Sequence, residues 1–279
     1  MLKVLKSGLF TTVQDAGRFG YLNKGVPLAG YMDSVSAEKV NLLLENDAGS
    51  AVIEITMTGP TLEFGKSSYI CMGGADISAT LNNEPVNPYQ VIKVEKGDIL
   101  SYGKLKNGFR SYLAIRGGFR SPLVLGSRSF FTSITAEDHL ADGAVIPYEG
   151  NGEFNPKIME IKVDSFLQEK ALEVTQGPEY DMLTDRQLEV LFYRDFHISN
   201  ENNRMAYQLV EPLPGHEVSM LTSATLPGTV QFTPAGKLMV LMKDGQTTGG
   251  YPRILQLSDK SISILAQKKF KDVVSFTLC

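Results

Sequence analysis

Val52-Ile53-Glu54-Ile55-Thr56-Met57 alternates side chains with a period of two, the signature of a strand that buries one face. The same alternation recurs in Ile158-Met159-Glu160-Ile161-Lys162-Val163, Ser261-Ile262-Ser263-Ile264 and Val273-Val274-Ser275-Phe276-Thr277-Leu278. Each predicts a half-buried strand. Leu238-Met239-Val240-Leu241-Met242 is an apolar run short enough for a buried strand. Turn signals at Asn82-Asn83, Lys96-Gly97-Asp98, Asn107-Gly108 and Asn151-Gly152 separate further short runs, as expected for barrels or sandwiches. Only two segments predict helices. From Asp33 to Leu44, Val40, Leu43 and Leu44 share one side, and Asp33 or Ser34 can cap the first turn. Thr184-Asp185-Arg186-Gln187 has capping-box spacing before Leu188, Leu191 and Phe192. The chain therefore reads as mainly β with few helices.

A length of 279 residues fits two domains at about 150 residues each, or one large all-β domain. The polar, glycine-rich stretch from Glu149 to Pro156 is the best boundary, giving domains over 1–153 and 154–279. Hydrophobic content of 43% and charged content of 21% suit a soluble globular protein. No apolar run is long enough to span a bilayer, and lysines interrupt the N-terminal apolar residues, so a cytoplasmic location is expected. A net charge of -4 leaves no broad basic field for nucleic acid. The two cysteines, Cys71 in an apolar segment and Cys279, support no disulfide framework. His139, His197 and His216 have no compact ligand spacing, and no metal site is expected.

Two stretches concentrate polar side chains around glycines: Thr11 to Tyr21, and Asp244-Gly245-Gln246-Thr247-Thr248-Gly249-Gly250-Tyr251-Pro252. The second follows the apolar run at 238–242, where side chains emerge from a rigid strand end. Positive φ at Gly249 and Gly250 would bring backbone N–H groups close to a small polar ligand. A plain hairpin turn at Asp244-Gly245 explains the same pattern. Asp15 and Arg18 read equally as a ligand-binding pair or a turn-stabilising ion pair, and Asp33 reads as a helix cap. Gly59 to Ser67 misses the phosphate-cradle spacing by one residue and precedes a strand, so ATP binding here is unsupported. Met242-Lys243 is followed by Asp244-Gly245, a turn rather than a biotin-attachment site. Ser127-Arg128-Ser129 offers hydroxyls, but no sequence pattern joins them to a histidine and a carboxylate.

The ordered set Thr11-Thr12-Val13-Gln14-Asp15, Gly17-Arg18, Gly20, Gly25-Val26, Gly30 and Met32-Asp33 continues over most of the chain. It includes Tyr112-Leu113-Ala114, Gly117-Gly118, Leu125 to Ser129, Asn203-Arg204-Met205, Gly228 to Gln231 and Gln246 to Pro252. This set resembles the family of the 5-oxoprolinase C component, also called KipA or allophanate hydrolase subunit 2 and often labelled biotin-dependent carboxyltransferase. Where that family commonly has glycine then arginine after Asn203-Arg204-Met205, this chain reads Ala206-Tyr207-Gln208-Leu209.

The resemblance implies two cyclophilin-like β-barrel domains and a subunit of an ATP-dependent complex that converts 5-oxo-L-proline to L-glutamate. It implies ATP chemistry carried partly or wholly by partners, a KipI-like B component and a LamB/YcsF-like A component of the 5-oxoprolinase, with no biotin attached to this chain. The implied site takes Asp15, Asp244, Gln246 and Thr248 as catalytic groups, Asp15 or Asp244 positioning water or accepting its proton. Gln14, Arg18, Asp33, Arg204, Gln231, Thr247 and Tyr251 would bind substrate, with arginine on its carboxylate. The alternatives are a carboxyltransferase component like the urea carboxylase domain and a KipA-type regulatory partner of a KipI-like kinase inhibitor.

Overall fold

The structure, a computed structural model, describes residues 1–150, 153–163 and 166–279. The turn expected at Asn151-Gly152 lies outside them. The chain divides into two compact units. The first comprises Met1–Arg18 and Ala29–Leu167, the second Phe19–Leu28 and Gln168–Cys279.

In the first unit the elements are β1 (Leu2–Lys6), β2 (Phe10–Gln14), α1 (Ser34–Leu43), β3 (Val52–Thr56), β4 (Thr61–Phe64), β5 (Ser68–Asp76), β6 (Thr80–Leu81), β7 (Glu84–Pro85), β8 (Ile92–Val94), β9 (Ile99–Ser101), β10 (Asn107–Ile115) and β11 (Val145–Ile146). They form a six-stranded sheet, β11-β1-β4-β9-β6-β7, and a five-stranded sheet, β2-β3-β10-β5-β8. A core that includes Leu2, Leu62 and Phe64 from one sheet and Ile53, Ile55 and Leu113 from the other joins them. α1 covers the opposite face of the five-stranded sheet, packing Val40, Leu43 and Leu44 near Val52, Tyr112 and Ala114. β3 is thus enclosed on both faces, and all five of its residues are buried rather than alternate ones.

Two expected elements take another form here. Asn107-Gly108 opens β10 instead of separating strands: Gly108 has φ 75 and the register with β5 shifts between Asn107 and Ser111. That is bulge geometry. The 158–163 segment makes a lone bridge, Gln90↔Glu160, flanked by Val91 N to Met159 O at 2.8 Å and Ile161 N to Tyr89 O at 3.1 Å. Phe154, Ile161 and Val163 lie against the core under α1, so the division between units follows Leu167 rather than the 153/154 boundary read from composition.

The second unit contains β12 (Ala171–Gln176), α2 (Asp185–Tyr193), β13 (Phe196–Asn202), β14 (Ala206–Leu209), β15 (Ser223–Ala224), β16 (Thr229–Phe232), β17 (Leu238–Leu241), β18 (Thr248–Gly249), β19 (Arg253–Leu257), α3 (Asp259–Ala266) and β20 (Val273–Leu278). Seven strands close as a barrel in the order β12-β19-β16-β17-β14-β13-β20, and β15 pairs with β18 in a separate ribbon. Tyr207, Val230, Phe232, Val240 and Leu255 are fully buried. α2 starts with the predicted capping box, Thr184 and Gln187 each accepting from the other's backbone N–H.

α3 replaces the strand expected at Ser261-Ile262-Ser263-Ile264. Ser258 caps it by accepting from Ser261 N, and Ser263 Oγ donates to Asp259 O at 3.2 Å. Serines satisfied in this way bury as readily as the isoleucines, so a four-residue alternation misleads. Among the described residues no helix is long and apolar enough to cross a membrane.

Candidate functional site

In the first unit, β2 ends at Gln14 and the chain turns through Asp15, whose carboxylate accepts four hydrogen bonds. They come from Gly17 N at 2.9 Å, Ser127 Oγ at 2.6 Å, Ser129 Oγ at 2.7 Å and Arg128 N at 2.6 Å. Asp15 N in turn donates to Ser129 Oγ at 3.0 Å. Arg18, fully buried, donates from Nε to Val124 O at 3.0 Å and from a terminal nitrogen to Ser129 O at 2.8 Å. Asp15 and Arg18 therefore grip the 124–129 loop together. Four donors engage this carboxylate, which in this structure ties the turn after β2 to the 124–129 loop. Ser127 and Ser129 are likewise donors to Asp15.

Gln14 Nε2 donates to Thr12 Oγ1 at 3.0 Å and Phe130 O at 3.2 Å. Asp33 caps α1, accepting from Ser36 N at 2.9 Å, while its own N–H donates to Tyr112 Oη at 2.8 Å. Tyr112 Oη donates to Glu54 Oε2 at 2.9 Å, Met32 N donates to the same oxygen at 2.8 Å, and Arg110 Nε stands 3.8 Å from Glu54 Oε1. Burial and the neighbouring Glu54 push the Tyr112 phenol well above its ordinary range, so it stays a neutral donor. Sequence reading missed Glu54. Alternation assigned Glu54 to a solvated face, whereas the cross-strand pair Tyr112↔Glu54 lies under α1. Cys71 is a core residue, its thiol pushed up to about 12 by burial.

In the second unit Arg204 and Asp244 form a fork, Nε to Oδ2 at 2.8 Å and a terminal nitrogen to Oδ1 at 3.0 Å. The backbone repeats the link, Asp244 N donating to Arg204 O at 2.9 Å. Asp244 sits in the turn after β17 and its carboxylate is forked to the arginine. Gln208 lies in β14; oriented by its neighbours, its amide nitrogen reaches Glu201 Oε2 at 2.7 Å and its oxygen meets Lys237 Nζ at 3.0 Å.

The remaining residues gather where the ribbon crosses the barrel. Val230 and Phe232 are buried in the barrel core, so strand alternation turns Gln231 outward. Gln231 is nonetheless 0% exposed, because Gly249 and Gln246 lie over it. Gln231 Oε1 accepts from Gln246 Nε2 at 3.4 Å, and Gln231 Nε2 has no hydrogen-bond partner. Thr225 anchors the covering strand, its Oγ1 donating to Gln246 O and its N–H to Thr247 O at 3.0 Å. A second fork, Arg253 to Glu179 at 2.9 and 2.7 Å, supports the ribbon through Arg253 to Ala224 O at 2.7 Å. The Arg253 guanidinium holds the Glu179 carboxyl below its ordinary value. Gln246 and Thr248 are exposed, Thr247 is half-buried, and Tyr251 is exposed at the ribbon's end.

Neither Gly249 nor Gly250 adopts positive φ. Close approach is the reason for Gly249: a Cβ there would fall 2.2 Å from Gln231 Nε2 and 2.8 Å from Gln246 Nε2, whereas one at Gly250 would meet open space. Among the described residues no group of three or more His, Cys, Asp or Glu side chains is arranged to hold a metal ion.

This strand-built pair of units belongs to the family described as carboxyltransferase domain, subdomain A and B, whose family model matches residues 24–278. The chain is 33% identical to the C component of 5-oxoprolinase from Escherichia coli (strain K12), across 100% of this chain and 91% of that protein. Among solved structures it is similar to TTHA0988, with a TM-score of 0.90 and 27% identity over 99% of this chain; it spans 56% of that longer chain. The urea amidolyase of Kluyveromyces lactis matches with a TM-score of 0.89 and 28% identity, over 99% of this chain and 18% of that one.

Proposed function

We propose that this chain is one component of an ATP-dependent 5-oxoprolinase complex that opens 5-oxo-L-proline to L-glutamate. The observation that carries the reading is the end-to-end likeness to the C component of E. coli 5-oxoprolinase, 33% identical across 91% of that protein. The local chemistry is compatible with it. A lactam is a poor electrophile, and phosphorylating its carbonyl oxygen would create an activated imidate for water to attack. This chain contributes neutral amide and hydroxyl groups at Gln231, Gln246, Thr247, Thr248 and Tyr251, whereas Asp15 and Asp244 are engaged as anchors. The role that fits is binding and orienting the cyclic amide, with ATP and the water-activating base supplied by the KipI-like and LamB/YcsF-like partners.

A second reading rests on the family description and on the likeness to urea amidolyase: transfer of a carboxyl group from a biotin held by a separate carrier protein. One assay separates the two. The cognate KipI-like and LamB/YcsF-like partners are incubated with ATP and 5-oxo-L-proline in a biotin-free preparation, with and without this chain, and glutamate is measured. Release only when this chain is present supports the oxoprolinase reading; none from an assembled complex refutes it and favours carboxyl transfer.

A further inference from the structure

Gln231 is the one fully buried glutamine of the second unit's site whose amide nitrogen lacks a partner, and an unfilled donor in that position asks for an acceptor. Its setting says where that acceptor belongs. The point that a Cβ on Gly249 would occupy lies 2.2 Å from Gln231 Nε2 and 2.8 Å from Gln246 Nε2, so both amide nitrogens pack against the bare glycine and lie close to one another. The single bond between the amides, Gln246 Nε2 to Gln231 Oε1 at 3.4 Å, is long; it turns the Gln231 oxygen toward its neighbour and leaves the Gln231 NH2 unpartnered beneath Gly249 and Gln246.

The two side chains differ in freedom. Gln231 stands on a barrel strand and is wholly covered, while Gln246 is exposed on a backbone pinned by Thr225. Gln246 can therefore swing aside as a ligand enters and return its amide to the same oxygen. Two convergent neutral donors select a neutral carbonyl oxygen. The arginines of this region, Arg204 and Arg253, are forked to Asp244 and Glu179, so the recognition of a carboxylate is not what this corner is built for.

We infer that Gln231 and Gln246 form a two-donor receptor for the carbonyl oxygen of a lactam or urea-like amide, with Gly249 giving their amide nitrogens room to approach the ribbon. This deepens the oxoprolinase reading and rests on it only for the choice of lactam over urea. The test uses the full chain and three probes: 5-oxo-L-proline, urea, and L-proline, which lacks the ring carbonyl. Binding is followed through the side-chain amide resonances of Gln231 and Gln246, assigned with Gln231→Leu and Gln246→Ala. Shifts of both amides with 5-oxo-L-proline and none with L-proline are expected, with Kd weakened about tenfold by Gln231→Leu, the worth of one hydrogen bond. Gly249→Ala displaces only two side-chain ends, so it should fold, keep its melting temperature and lose the same shifts; Gly250→Ala should bind as wild type.

In the reconstituted complex, kcat/KM for 5-oxo-L-proline should fall roughly 10²–10³-fold for Gln231→Leu if the oxygen gains charge during reaction. Shifts with urea but not with 5-oxo-L-proline would uphold the carbonyl receptor and overturn the oxoprolinase reading. Glutamate release by the wild-type complex, with folded Gln231→Leu and Gly249→Ala variants as active as wild type, would overturn the receptor and leave the oxoprolinase reading standing.

Discussion

The glycine-bearing stretches at 11–21 and 244–252 look alike in composition and behave oppositely. In the first, Asp15 takes four donors and Arg18 reaches two carbonyls, so the polar groups are turned inward to hold the 124–129 loop. In the second, the charges at Arg204 and Asp244 neutralise each other, and the amide nitrogen of Gln231 is left without a partner under Gly249 and Gln246. What differs between the two stretches is where hydrogen-bonding capacity is already engaged. Charge alone does not reveal it.

The largest expected effect lies on the anchoring side. Glu54→Leu removes the buried carboxylate beside Arg110 and the acceptor for Tyr112 and Met32; chemical unfolding should show a loss of about 3–5 kcal/mol, as for a buried pair broken at one partner. A loss under about 1 kcal/mol would mean that the network is not structural. Asp15→Ala comes next, at about 3 kcal/mol, because it leaves the buried N–H of Gly17 and the part-buried N–H of Arg128 without their acceptor. On the binding side Gln246→Ala should change stability by at most about 0.5 kcal/mol, since its side chain is exposed, yet cut turnover of the complex roughly 10²-fold.

The smallest effect is a pH dependence. Arg253 depresses the folded-state pKa of Glu179, so the ion pair's contribution is present above the ordinary value of 4.5 and lost as pH falls through the lower folded-state value. The melting temperature of wild type should thus drop more steeply below pH 4.5 than that of Glu179→Gln. Parallel acid profiles for the two proteins would remove the fork from the account of what steadies the ribbon.

Much of the fold was legible because local rules agreed with tertiary packing: the Asp33 and Thr184 caps open α1 and α2, and β17 and β20 follow their apolar patterns. α3 was not, because its serines bury on hydrogen bonds within and at the start of the helix, a partnership that hydropathy does not register. β3 was read as half-buried since nothing local to Glu54 announces that α1 lies over it. At 244–252 the expected positive φ at Gly249 is absent, and the glycine is required instead by the close approach of Gln231, a partner that its neighbours in sequence do not announce. The partners of Asp15 lie more than a hundred positions away at Ser127 and Ser129, so its reading as a catalytic group had no local contradiction.

The most direct test of the contrast is a crossed measurement on Asp15→Asn and Gln246→Ala, each scored for melting temperature and for kcat/KM in the reconstituted complex. The account predicts that Asp15→Asn melts earlier but keeps turnover per folded molecule, while Gln246→Ala melts with wild type and loses roughly 10²-fold in kcat/KM. An Asp15→Asn protein that is fully folded and inactive, beside an unimpaired Gln246→Ala, would contradict it.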